Sequence, residues 1–308
     1  MCYSARIQAD YAKYRRAYGA DIDIDEFTRL YFQKLREPKA VKTPRGLDLA
    51  FLRGESDGEQ AVAATIRQAD LAAIADLQQQ LAAQVERLAK ADAALAAGKV
   101  TKKATDDRRI ATDKVAQLRA RLNDLRRTST AEGHARIYPG VYAPVLVSEA
   151  GRRVLKPMRY QCRPEGKPAF YDRRYPGTYN ARRDNLEGFW RGLFGLRHGV
   201  IVADAFYEHV EQAGKNVILE FRPDTGEPLL AACLWSEWGE GDDRLLSFAA
   251  ITDTPPPEVA AAGHDRCIVP IRPEHLDAWL NPVPADLAAS YAILDDRVRP
   301  YYEHRLAA

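Results

Sequence analysis

Val200-Ile201-Val202-Ala203-Asp204-Ala205-Phe206-Tyr207-Glu208 opens as an apolar, β-rich run and arrives at a carboxylate. A short apolar run of this kind reads as a strand buried on both faces. Here Val200–Ala203 is the β-rich run, and Val202 to Glu208 ends the predicted buried strand with a carboxylate. Working outward, runs of the same type occupy Val141–Val147, Val154–Met158, Asn216–Phe221, Leu229–Trp235, Leu245–Ile251 and Cys267–Ile271. Clusters of Gly, Pro and Asp separate them. Helical patterns fit Leu186–Phe194 and Pro273–Trp279. At the other end of the chain a strand is expected around Cys2–Ile7. A helix with Phe27, Leu30, Tyr31 and Leu35 on one face follows it. Strands from both ends of the chain with helices between them make this an α+β protein.

Residues 57–128 interrupt the pattern. They contain no proline and no aromatic residue. Leu71, Ile74, Leu77, Leu81, Val85, Leu88, Ala91 and Leu95 recur in steps of three and four, which is a heptad seam. It breaks at Ala97-Gly98-Lys99-Val100-Thr101 and resumes at Ala111, Val115, Leu118, Leu122 and Leu125. Two such segments across a Gly-containing break predict an antiparallel helical hairpin whose first arm reaches roughly 40 Å. Either it packs on itself as a coiled-coil decoration, or it is a partner or self-association surface. The expected division is residues 1–35 and 137–308 as one domain and 57–128 as an inserted hairpin. The Pro- and Gly-bearing stretch 36–56 is an irregular connector, and 129–136 is a second connector.

The chain has 308 residues, 46% of them hydrophobic, enough for a sizeable core and against a disordered protein. It has no apolar run long enough to span a membrane and no apolar leader segment, so a cytoplasmic protein is expected. The four cysteines contain no paired spacing, which argues against both a disulfide framework and a zinc site. The net charge of +2 hides an asymmetry. Arg152–His198 holds 12 basic and 4 acidic residues, whereas Gly199–Ala308 holds 8 and 19. The basic block interleaves Arg159, Arg163, Lys167, Arg173, Arg174, Arg182, Arg183, Arg191 and Arg197 with Tyr160, Phe170, Tyr171, Tyr175, Tyr179, Phe189 and Trp190. Cations that track phosphates, set among rings that stack on unpaired bases, suit single-stranded DNA. The alternative is that most of these rings belong to the core, Trp190 above all.

Cys2 carries the most distinctive chemistry. Removal of Met1 would leave a free α-amine, pKa ~7.7–8.0, beside a thiol of pKa ~8.5. Such an aminothiol condenses with an aldehyde to an imine, and the thiol then closes a thiazolidine ring. Three further segments join it: Tyr179-Asn180-Ala181-Arg182, Ala203 to Glu208, and Gly263-His264-Asp265-Arg266-Cys267-Ile268-Val269-Pro270, with Trp279-Leu280 soon after.

In their order and spacing, Met1-Cys2, Asn180-Ala181-Arg182, Ala203 to Glu208, the His264-Asp265-Arg266 segment and the Trp-Leu pair resemble the SRAP family, the SOS-response-associated peptidase-like proteins. Pro139-Gly140 before a strand fits the same pattern. The resemblance covers residues 1–35 and about 137–282. It implies a mixed sheet or open barrel core with flanking helices, and covalent capture of abasic sites in single-stranded DNA. It implies Cys2 as nucleophile, Asn180 as the residue orienting the N-terminus and the sugar, Glu208 as the acid/base carboxylate and His264 as the promoter of sugar ring opening. Arg182 matches a phosphate-contacting arginine, and Arg6, Arg159, Arg173, Arg174, Arg183 and Arg266 are the further DNA-contact candidates. No metal or organic cofactor is implied. The family usually reads Cys-Gly-Arg where this chain has Cys2-Tyr3-Ser4. Two other readings stay open: a thiol peptidase whose only reaction is release of Met1, and a non-enzymatic DNA-binding scaffold in which the hairpin is the working part.

Overall fold

A computed structural model describes residues 4–212 and 214–307. Among the described residues thirteen strands form one mixed sheet: β1 (Ser4–Ile7), β2 (Asp21–Ile22), β3 (Arg136–Ile137), β4 (Tyr142–Glu149), β5 (Arg152–Tyr160), β6 (Asn180–Arg182), β7 (His198–Gln212), β8 (Lys215–Pro223), β9 (Leu229–Trp238), β10 (Leu245–Asp253), β11 (Cys267–Ile268), β12 (Pro270–Ile271) and β13 (Tyr302–Leu306). Among the same described residues nine α-helices accompany them: α1 (Tyr11–Tyr18), α2 (Ile24–Arg36), α3 (Arg45–Leu52), α4 (Asp57–Ala96), α5 (Lys102–Arg126), α6 (Tyr171–Arg174), α7 (Pro257–Ala261), α8 (Leu276–Leu280) and α9 (Leu287–Asp295). The protein is α+β, as the sequence pattern requires.

Pairing runs from β9 through β10, β5 and β4 to β7, which pairs back with β9. Two seams of this circuit are short. β4 meets β7 at Leu146 and Val200 alone, and β5 meets β10 over two residue pairs. The sheet therefore curls strongly but is not a clean barrel.

Alternation explains why the central strands read as unbroken apolar runs. Val145, Val147, Ile201, Ala203, Ala231, Cys233, Phe248 and Ala250 belong to the cluster on one face. Leu146, Val200, Val202, Leu230, Ala232, Leu234, Ala249 and Ile251 belong to the cluster on the other, where residues of α1–α4, α8 and α9 cover them. A sheet covered on both faces needs apolar side chains at every position.

Three sequence expectations are corrected. Residues 186–194 do not form a regular helix but a chain of turns after a 3-10 segment. Leu186, Trp190, Leu193 and Phe194 are nevertheless buried, so the periodicity marked the buried face correctly. Gly188 and Gly192 lower the helix propensity of the segment, and Gly195, just past its end, takes a φ of +79°, which a helix cannot accommodate. The stretch 36–56 is not wholly irregular, because α3 lies in it with Leu47 and Phe51 fully buried. Finally β7 runs on to Gln212, so Glu208 sits within a strand instead of at its end.

The hairpin exists, with its break at residues 97–101, and α4 is 40 residues long. It starts earlier than the heptad seam because Ser56 and Glu59 form a reciprocal capping box: the Glu59 backbone N–H donates to Ser56 Oγ, and Glu59 Oε2 accepts the Ser56 N–H at 2.9 Å. The first turns of α4 are core. Val62 and Ile66 pack with Tyr11, Phe27, Tyr31 and Phe51. Only farther out does α4 pack against α5 alone, through Leu77, Leu118 and Leu122. The ion pairs Arg87–Asp107 and Arg108–Asp92 fix the antiparallel register. Excising Ala82–Asp113 and bridging the gap with Gly and Ser should therefore leave the urea midpoint nearly unchanged. Excising the whole of residues 57–128 strips two core side chains, each worth roughly 1.5–3 kcal/mol of burial, and should shift the midpoint far down. Equal midpoints for the two deletions would show that the base of α4 is not part of the core.

His198, at the start of β7, is buried against Trp279, with ring centroids 3.9 Å apart. Its Nε2 accepts the Gly195 N–H at 2.8 Å, so the neutral ring donates from Nδ1 to the Trp279 carbonyl at 3.0 Å. Burial pushes its pKa down from 6.5 to about 4, the Trp279 carbonyl opposing this only in part. The unfolded chain thus binds this proton more readily than the folded one. Stability is complete above about pH 6.5 and falls by roughly 3 kcal/mol as the pH drops towards 4. Urea unfolding at stepped pH checks this, and His198→Phe should flatten that part of the slope. An unchanged slope in the variant would assign the pH dependence to other groups.

Candidate functional site

β7 is the organising strand. Its first half pairs with β9 and its second with β8, while β1 lies antiparallel on its other side with Ser4 opposite Tyr207. The N-terminal end of β1 therefore lies one register step from Glu208, whose side chain is fully buried.

α7 and the turn after it deliver a histidine to that carboxylate. Gly263 takes a φ of +98°, in the left-handed region that a Cβ penalises, and sits over Val210. Val210 is two residues beyond Glu208 and so shares its face of the strand. The turn places His264 Nε2 3.0 Å from Glu208 Oε2. The other ring nitrogen, Nδ1, lies 2.9 Å from the Arg266 carbonyl and 3.3 Å from the Arg266 N–H. The ring thus has a backbone partner in either tautomer. Neutral with the proton on Nε2, it donates to Glu208 and accepts from the Arg266 N–H. Doubly protonated, it donates to Glu208 and to the Arg266 carbonyl together. Burial lowers the His264 pKa below 6.5, and the Arg266 carbonyl opposes that. A buried carboxylate and an imidazole in direct contact are able to exchange a proton.

Asn180 is buried on β6, which runs parallel to β10 with Asn180 opposite Ala250. Two positions farther along β10, Thr252 pairs with Ile268, four residues after His264. Tyr179 belongs to the same core cluster as Val210 and Cys267. The fold thus brings β6, the His264 turn and the second half of β7 onto one packed core. Cys2 lies outside the described residues.

The cationic candidates divide sharply. Arg173 and Arg174 on α6 and Arg182 on β6 are exposed, Arg182 with Asp184 at 2.6 Å. Arg159 and Arg163 instead clasp Asp172, whose carboxyl they hold below its ordinary range although burial pushes it up. Arg183 bridges Asp253 and Asp295. Arg6 lies 3.6 Å from buried Glu220, and Arg266 stands 3.7 Å from Asp265. Much of the basic block is therefore neutralised by its own acidic neighbours. Its exposed remainder includes rings: Tyr171 packs on Tyr175 at 4.3 Å, and Phe170 and Phe189 are solvent-facing. Trp190 is core, and Tyr160 and Tyr179 are buried in an edge-to-face pair.

Arg136 of β3 escaped the sequence reading. Its Nη2 donates to Ser4 Oγ at 3.1 Å, and its guanidinium lies over the rings of Tyr207 at 3.7 Å and Tyr138 at 5.0 Å. A cation is thus fixed at the N-terminal end of β1, beside the residue that precedes Glu208. Its one sequence signal, a basic residue just before Tyr138-Pro139-Gly140, lies outside the basic block.

Among the described residues no group of three His, Cys, Asp or Glu side chains is placed to hold a metal ion, and no helix is long and apolar enough to cross a membrane.

No curated protein matches the chain. Among solved structures, a protein from Bordetella bronchiseptica is similar at 21% identity and a TM-score of 0.47, covering 58% of this chain and 90% of its own. A phage-related protein from the same organism gives 20% and 0.44, with 59% and 85% covered. A protein from Bacteroides thetaiotaomicron gives 14% and 0.46, with 56% and 78% covered. The family model for the SOS response associated peptidases (SRAP) matches residues 107–307, from within α5 to the end of β13 and so across Asn180, Glu208 and His264. With well over half of its length matched, the chain belongs to the SRAP family.

Proposed function

We propose that the protein captures abasic sites in single-stranded DNA by forming a thiazolidine between Cys2 and the ring-opened sugar. The observation that carries this reading is the buried Glu208–His264 pair, 3.0 Å apart, one register step from the N-terminal end of β1. This reaction needs Cys2, two residues before Ser4, to reach the pair, and two residues of extended chain span at most ~7 Å.

The chemistry runs in three stages. An abasic sugar is largely a closed hemiacetal, and an acid must deliver a proton to the ring oxygen before an aldehyde exists; His264 fills that role. The α-amine of Cys2, freed by removal of Met1, adds to the aldehyde carbon, and loss of water leaves an imine. The thiol then adds across the imine, its proton passing to the nitrogen, and closes the five-membered ring. One water leaves overall and no oxidant is needed. Glu208 relays protons to and from the nitrogen, and Asn180 orients the N-terminus and the sugar through neutral hydrogen bonds. Arg173, Arg174 and Arg182 contact phosphates, and Phe170, Tyr171 and Tyr175 stack on unpaired bases. Arg136 is a positioning residue: clamped between two rings, it fixes Ser4 and with it the start of the tethered segment.

Intact mass after incubation with an abasic oligonucleotide tests the reading. A species at the sum of the two masses less one water, stable without reductant, is expected. Loss of Met1 with no adduct would favour a peptidase confined to its own N-terminus, and neither change would leave a DNA-binding scaffold.

A further inference from the structure

A second built surface lies away from the Glu208–His264 pair, where the base of the hairpin meets α3. A cleft of about 500 Å³ opens between α3, α4 and the end of α5. Its floor is aliphatic: Leu49 and Leu52 from α3, Leu71 and Ile74 from α4, and Leu125 from α5. Leu71 is 69% exposed there, a large apolar side chain with nothing over it among the described residues.

Arginine dominates the rim. Arg53, Arg67, Arg126 and Arg127 stand exposed around the floor, and Asp70 is the one acidic residue of the lining. Arg45 ties the walls together, Nη1 donating to Asp70 at 2.8 Å and Nη2 to the Leu125 carbonyl at 2.8 Å. Asp70 is thereby already engaged, which leaves the rim strongly positive. The remaining Arg45 nitrogen, Nε, is buried without a hydrogen-bond partner. A buried donor left unmade costs free energy.

We propose that this cleft docks an acidic segment of a partner protein, with one large apolar side chain on the leucine floor and flanking carboxylates on the arginine rim. Charge complementarity selects the sign of the occupant, because four exposed guanidinium groups, that of Arg127 standing 4.0 Å from Asp124, face a single lining carboxylate that Arg45 already pairs. The lining selects a polypeptide over nucleic acid. No aromatic ring lines the cleft, so bases would find no stacking platform, and an aliphatic floor offers nothing to phosphates. Its volume suits one or two side chains. Arginine clusters recognise acidic motifs through paired N–H donors, which lysine cannot arrange as well.

The test uses the full chain and a short fluorescein-labelled peptide of Asp and Glu around a central Phe, followed by anisotropy. Saturable binding that weakens with salt is expected. Arg67→Glu combined with Arg126→Glu should weaken it by about tenfold or more, and Leu71→Asp comparably, since these exposed side chains are dispensable for folding. Melting curves that match the parent verify that last point. Arg174→Glu, on the exposed α6, should leave peptide binding unchanged. The proposal is overturned if the peptide does not saturate, if a Lys-for-acid version binds equally well, or if Arg174→Glu weakens binding as much as the rim changes. Equal competition by a single-stranded oligonucleotide would reassign the cleft to nucleic acid and overturn it as well.

Discussion

Cys2→Ala should abolish the stable adduct with an abasic oligonucleotide while leaving affinity for undamaged single-stranded DNA intact. The two properties rest on different parts of the molecule. In the proposed mechanism the covalent step needs the thiol to close the ring, whereas affinity is assigned to the exposed Arg173, Arg174 and Arg182 and to the rings on and around α6. Alanine at position 2 still permits removal of Met1, so the α-amine survives, and borohydride should trap an imine that does not accumulate otherwise. Cys2→Ser behaves alike. No other thiol is placed to substitute. Cys162, Cys233 and Cys267 are all buried. Burial pushes the Cys162 thiol up to about 12 and raises Cys233 and Cys267 as well, Cys267 further through its neighbour Glu208. Thiols held protonated in this way are inert as nucleophiles. An undiminished, reductant-independent adduct from the alanine variant would sink the thiazolidine mechanism, whatever the DNA affinity.

How far the sequence revealed this arrangement depends on what each signal measures. The central strands were legible because both faces of the sheet are covered, which forces continuous apolar runs at β4, β7, β9 and β10. Strand ends were less so. β7 continues nine residues past Ala203, because its second half is held by β1 and β8, and such pairing leaves no trace in the strand's own composition. That is why Glu208 read as a strand-end carboxylate when it is a buried mid-strand one. The segment 186–194 has helical periodicity without a helix, since its spacing records which side chains are buried and its glycines decide the backbone. The hairpin's heptads were plain, yet Val62 and Ile66 lie before the seam and pack on α2 and α3, a tertiary fact that no local period encodes. Asn180, Glu208 and His264 could be named only through the resemblance to the family. Arg136 carried only the weak signal of a basic residue near Tyr138-Pro139-Gly140, because its position comes from β3 lying beside β1 across more than a hundred residues of chain.

The two members of the proton-transfer pair should separate by substrate. His264→Ala should slow adduct formation with an abasic oligonucleotide by roughly 10²–10⁴-fold, the usual contribution of one acid–base group. On a small aldehyde that has no ring to open, much of that loss should vanish. Glu208→Gln preserves size and hydrogen bonding but removes the base, so it should slow both substrates and also slow reversal, since one group handles the nitrogen's proton in each direction. The contact of 3.0 Å couples the two residues, so their double variant should lose less than the product of the single losses. Acidity supplies a further check. Burial lowers the His264 pKa below 6.5, so its acid form grows only as the pH falls below neutrality. The α-amine meanwhile loses its nucleophilic form below ~7.7–8.0. The parent rate on abasic DNA should therefore be bell-shaped, with its alkaline limb set by His264 and its acid limb by the amine. On the simple aldehyde the His264 limb should disappear, leaving a rate that rises with pH to a plateau. A time course by intact mass on both substrates across pH measures all of this. If His264→Ala is equally crippled on the two substrates, its role in opening the sugar is wrong and the histidine serves only to hold Glu208 in place.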